Sequence, residues 1–69
     1  MNEEQISELA RLINQILAAE FGEPEGTVYA TPNPGLAAQA NSLPPGTTLQ
    51  EAAEGLAAQI LKIMRGNFD

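Results

Sequence analysis

TLQEAAEGLAAQILKIMR, residues 48–65, is the stretch that decides the fold. Its large apolar residues fall at Leu49, Leu56, Ile60, Ile63 and Met64, with Ala52, Ala53 and Ala57 on the same side. Steps of three and four put side chains on one face of a helix. Thr48 and Glu51 stand at capping-box spacing, the hydroxyl accepting from the Glu51 backbone N–H while the carboxylate reaches back. Lys62 and Arg65 suit the negative end of a helix dipole, and Gly66 follows where helices commonly close in the left-handed conformation. Start, face and stop agree on a helix over 48–65.

The same pattern recurs over residues 2–21, NEEQISELARLINQILAAEF. Ile6, Leu9, Ile13 and Ile16 make a seam with coiled-coil-like steps, which Leu12, Leu17 and Phe21 widen. Asn2 can cap this helix, Glu3, Glu4 and Glu8 favour its positive end, and Glu8 can pair with Arg11 at i, i+3. Gly22 and Pro24 stop it. The apolar positions span about 180° of the circumference, against roughly 100° for the stripe of a surface helix.

Helix 48–65 carries a similar excess, with Leu49, Leu56, Ile60 and Ile63 as the seam and Leu61 and Met64 extending it. Two antiparallel helices would cover one seam on each and leave Leu12 and Leu61 partly bare. Either a partner covers the surplus, or the middle of the chain folds back over it. Gly55, flanked by Ala52 and Ala58, either permits close helix approach or is a tolerated surface glycine.

The connection, 22–47, is long beside the usual 2–8 residues between helices and contains all five prolines. Thr27–Thr31 has strand composition but would need a neighbouring strand, for instance across a dimer axis. Pro32-Asn33-Pro34-Gly35 is turn chemistry, and 35–40 suits a short helix ended by Asn41. The expectation is all-α: one helical domain, 1–69, an antiparallel two-helix hairpin with a long Pro/Gly-rich connection, pairing into a homodimeric four-helix bundle.

Composition narrows function more than any motif does. A chain of 69 residues buries only about 60% of its unfolded surface, so small domains lean on disulfides, metals or oligomerisation. With no cysteine and no histidine, oligomerisation is the remaining staple, a dimer being favoured, and neither a cofactor nor a metal is expected. A net charge of −6 and a pI near 4.2 argue against nucleic acid and anionic membrane surfaces. No apolar run approaches the ~20 residues of a membrane span, and an acidic MNEEQ start is unlike a signal peptide. A cytoplasmic setting is the matching expectation.

Ser–His and Cys–His nucleophiles are excluded by composition. The serines, Ser7 and Ser42, have no cationic base near them in sequence. Among carboxylates, Glu20, Glu23 and Glu25 cluster, Glu51 and Glu54 lie one turn apart, and Glu20 has the most apolar neighbours, yet none makes an acid–base or metal signature. The ligand candidates are Tyr29, for stacking, with Asn33, Arg11 and Arg65. The partner-face candidates are Ile6, Leu9, Leu12, Ile13, Ile16, Leu56, Ile60, Leu61, Ile63 and Met64. The expected function is a non-enzymatic protein–protein interaction module, a small acidic adaptor or inhibitor that self-associates and binds another protein. The alternatives are a structural oligomerisation subunit, or a small-ligand sequestering protein with its site in the 27–46 loop at a subunit interface.

Overall fold

A computed structural model of the chain describes residues 1–24 and 26–66. Three helices follow one another: α1 (Glu3–Phe21), α2 (Pro34–Asn41) and α3 (Leu49–Met64). Each starts where local chemistry satisfies the orphan backbone N–H groups of a first turn. Asn2 and Gln5 form a reciprocal capping box at α1, both bonds 2.9 Å. The Asn33 side chain accepts from Leu36 N–H at 2.8 Å, and Pro34 occupies the first turn of α2. Thr48 accepts from Glu51 N–H at 3.1 Å, but the expected return bond to the Thr48 backbone is replaced by a side-chain contact, Thr48 hydroxyl to Glu51 carboxylate, also 3.1 Å. Gly22 ends α1 with φ 67°, a conformation that a side chain would strain, and its N–H and that of Glu23 close back on the last turn.

The core is the contact between α1 and α3. Ile6, Leu9, Ala10, Ile13 and Leu17 meet Ala52, Ala53, Leu56 and Ala57, and Leu36 and Ala40 of α2 complete it. Leu9, Ile13 and Leu17 are fully buried. At about 1.5–3 kcal/mol for each large side chain removed from water, this cluster supplies most of the drive to fold. The alanines of α3 allow the helices to approach closely. Gly55, by contrast, faces solvent: a Cβ added there meets nothing within 4 Å, so it is a surface glycine and not part of a packing flank.

The hairpin expectation needs correction. Arg65, which closes α3, pairs with Glu20 in the last turn of α1, and the Met1 ammonium at the head of α1 donates to Asn41 at the end of α2. Thus α3 finishes where α1 finishes and does not return along it. The connection makes the return journey. Its residues 26–32 line α1 beside Ser7, Ala10, Arg11, Asn14 and Gln15, and Pro32, Asn33, Pro34 and Ala37 then reach Met1 to Ser7. Two helices in the same sense need a long crossover, and the long connection supplies it.

Two further expectations change. Thr27–Thr31 forms no strand among the described residues. Ile63 does not belong to the seam: it is 68% exposed, because it sits at the end of α3 where little stands opposite. Part of the surplus apolar arc is covered by the connection itself, through buried Leu36 and Ala40 and half-buried Tyr29, Ala30, Ala37 and Leu43.

Candidate functional site

The four ligand candidates are not brought together. Arg11 lies on α1 and holds Glu8, with Nε donating to the carboxylate at 3.0 Å and a second bond from the guanidinium beside it. That hydrogen bond, helped by the charge of Arg11, holds the Glu8 carboxyl below its usual value against a weaker upward push from desolvation. Arg65 is at the far end with Glu20. Asn33 is committed to the cap of α2 and also donates to the Thr31 hydroxyl at 3.3 Å. Tyr29 stacks obliquely on Phe21, centroids 5.9 Å apart, and its hydroxyl donates to the Glu23 carboxylate. The bond to Glu23 pushes the phenol up to about 12, with desolvation and the carboxylate charge acting the same way. Tyr29 is therefore an anchor of the connection.

The residue that sequence reasoning passed over is Asn14. Its side-chain carbonyl accepts from Tyr29 N–H at 2.6 Å and from Ala30 N–H at 2.8 Å, while its NH2 donates to the Ala30 carbonyl at 2.8 Å. One amide thus acts as the neighbouring peptide that the strand-like arm was missing. The signal was present in the sequence: asparagine is a poor residue for a helix interior, and this one sits next to Ile13 at the margin of the apolar arc.

Between the arm and α1 runs an open groove of about 460 Å³, lined among others by Arg11, Asn14, Thr27, Val28 and Thr31. A second, of about 390 Å³, lies between the head of α1 and Pro32–Ala37. Arg11 shares the first with Thr27, Val28, Ala30 and Thr31 of the expected ligand region; Asn33 lines the second.

The partner-face candidates divide by burial. Ile6, Leu9, Ile13 and Leu56 lie in the interior of the single chain. Leu12, Ile16, Ile60 and Leu61 are half-buried at its margin. Ile63 and Met64 stand open, at 68% and 50% exposure, and Phe21 is 39% exposed. Because Glu20 and Arg65 are paired, their neighbours Phe21 and Met64 lie at the same end of the molecule. Exposed Phe21, Ile63 and Met64 thus all stand at the end where α1 and α3 finish, together with the Glu20–Arg65 pair.

The Ser42 hydroxyl donates to the Gln39 carbonyl at 2.8 Å, and Ser7 is an exposed lining residue of both grooves. Glu20 is exposed and ion-paired, and Glu54 accepts from Gln50 at 3.1 Å. Glu25 lies outside the described residues. Among the described residues no group of three or more acidic side chains is placed to hold a metal ion, and no helix is long and apolar enough to cross a membrane. Comparison of the chain with protein-family models, curated proteins and solved structures finds no match.

Proposed function

We propose that the protein is a non-enzymatic protein–protein interaction module, a small adaptor or inhibitor of the cytoplasm, which self-associates through its apolar end and binds another protein. The observation that carries this reading is the exposure of Ile63 and Met64 at the end of α3, the end at which α1 also finishes with Phe21. Large apolar side chains left exposed at one end of a small acidic domain are commonly covered by a partner. One turn back from that end, half-buried Ile16, Ile60 and Leu61 extend the surface.

Charge supports a second copy as one occupant. The end where α1 and α3 finish carries both signs, Lys62 and Arg65 with Glu20 and Glu23. The starts of α1 and α3 carry Glu3, Glu4, Glu51 and Glu54. Two copies of a chain with net charge −6 repel least where cations and carboxylates alternate. Such a dimer would join at the helix ends, a different geometry from the four-helix bundle expected from periodicity.

The test is sedimentation or native mass spectrometry of the purified chain at low micromolar concentration. A dimer that becomes a monomer in Ile63→Glu, with helix content kept, supports the reading. A monomer at every concentration overturns self-association. The groove beside Arg11, Thr27 and Thr31 favours a second reading, a sequestering protein for a small polar ligand. Extra mass of a few hundred daltons on the purified chain would promote it.

A further inference from the structure

The arm, residues 26–33, crosses α1 without entering a helix or a sheet. Between the local turn in which Thr27 N–H meets the Pro24 carbonyl, at 3.2 Å, and the Asn33 cap, its backbone bonds to the rest of the fold are the three made with Asn14 among the described residues. A strand of this length in a sheet would be held by several partners along a ladder, each of which must break for it to leave. Here a single side chain supplies both donor and acceptor.

The packing under the arm is correspondingly light. Tyr29 and Ala30 are half-buried, Val28 is 65% exposed, and Thr31 and Pro32 are exposed. At one end stands Gly26 with φ 103°, a backbone setting that side chains rarely adopt. At the other stand Pro32 and Pro34, whose rings fix their own φ. A permissive joint, a stiff far end and, between them, one side chain holding the backbone with the Tyr29 side chain set on Phe21 and Glu23 are the parts of a hinged strap.

We infer that residues 27–32 open and close over α1 as a unit, with Asn14 as the latch and Gly26 as the hinge. Opening lays bare the Ala10 and Asn14 flank of α1 and turns the groove of about 460 Å³ into open surface. It also takes the Tyr29 ring off Phe21, which enlarges the apolar end. That last consequence rests on the self-association reading; the strap itself does not.

Residue-resolved amide hydrogen exchange on the full chain tests the strap. In the unmodified protein, the Tyr29 and Ala30 amides should exchange faster than those of Ile13, Leu17 and Leu56. Asn14→Ala should speed the two arm amides by about 10- to 100-fold, the loss expected for one to two net hydrogen bonds. Asn14→Asp keeps the acceptor but puts a carboxylate against the Ala30 carbonyl, and should fall between. Rates at Ile13, Leu17 and Leu56 should stay within about twofold, as expected when a local unit opens alone. Equal rates for arm and core in the unmodified protein would overturn the inference, as would unchanged arm rates in Asn14→Ala. Global unfolding of both variants would overturn it too, since the arm would then be inseparable from the core. Sedimentation of Asn14→Ala reads the coupling separately: faster arm exchange with unaltered association would leave the strap standing and remove its link to the apolar end.

Discussion

Two regions of this small molecule rest on α1, and they are held in different ways. On one flank, Leu9, Ile13 and Leu17 are sealed against Ala53, Leu56 and Ala57 without a buried polar group. On the other, the arm is tied by the amide of Asn14 and backed by half-buried Tyr29 and Ala30. Apolar packing is non-directional and spread over many atoms, so it fails only when the helices separate. Hydrogen bonds focused on one side chain can be released one residue at a time. The contrast teaches where this fold is cooperative and where it can move.

The strongest way to break the contrast is to attack the sealed side. Ile13→Ala should cost about 2–5 kcal/mol, comparable to the whole stability of a domain this small, and circular dichroism should show most of the helix lost at room temperature. A folded Ile13→Ala variant with a small loss would mean that the core is less tightly closed than its burial indicates.

A smaller change sharpens the contrast from the other direction. Gly55→Ala adds a methyl in open space within a helix and should stabilise by about 1 kcal/mol, raising Tm by roughly 4–8 °C. If the arm opens on its own, the Tyr29 and Ala30 amides should exchange at their original rates in this variant. Slower exchange there would tie the arm to the global transition.

The ends of α1 and α3 offer a weaker tie. The Glu20 and Arg65 side chains are 43% and 50% exposed, so Arg65→Ala should cost only about 0.2–1 kcal/mol and should lose its effect at high salt. Denaturant titrations at two salt concentrations would read this. A larger, salt-insensitive loss would show that this ion pair helps seal the core.

The mildest probe is the phenol that anchors the arm. Tyr29 is the sole tyrosine, so tyrosinate absorbance follows it without ambiguity. Its folded-state pKa stands at about 12 against an ordinary 10.0, because its hydroxyl donates a hydrogen bond to the Glu23 carboxylate. A raised pKa makes this contribution complete below the ordinary value and lost as pH climbs through the folded one. Arm contacts should therefore weaken between pH 10 and 12, and Glu23→Gln should bring the titration back toward 10.0. A midpoint that ignores Glu23→Gln would remove that carboxylate as the cause.

Much of the secondary structure was legible because helix starts and stops are local chemistry. Asn2 and Thr48 cap, Gly22 stops α1, and the structure shows each, whereas Asn33 read as part of a turn and caps α2. The apolar periodicity identified Ile13, Leu17 and Leu56, since burial follows the face of a helix. Periodicity carries no information about which way a neighbouring helix runs, and so the sense of α3 was missed. The available clue was the length of 22–47: far more chain than a hairpin turn needs, and enough to travel back along α1. Thr27–Thr31 read as a strand for a sound reason, extended backbone in need of partners, but Asn14 met that need from within a helix. Ile63 lies outside the seam that the single chain buries because position along a helix matters as well as face. Of the candidate site, Ile63 and Met64 were named from sequence, whereas the shared end of α1 and α3 and the role of Asn14 required the fold.

The crossover that sets α3 beside α1 also bears on how the molecule folds. Glu20 and Arg65 meet across 45 positions of sequence, and α1 packs on α3 only after the whole connection has been threaded back. Individual helices of this length form in about 0.1–1 μs, but distant contacts must first close a loop whose entropy is lost in advance. A hairpin of the same two helices would zip from its turn. This chain has no such turn between α1 and α3, and the contacts between them are distant in sequence. We expect its folding to be slower than that of helical bundles of equal size, with α2 and the cap at Asn33 shortening the search by fixing the far end of the connection before α3 docks.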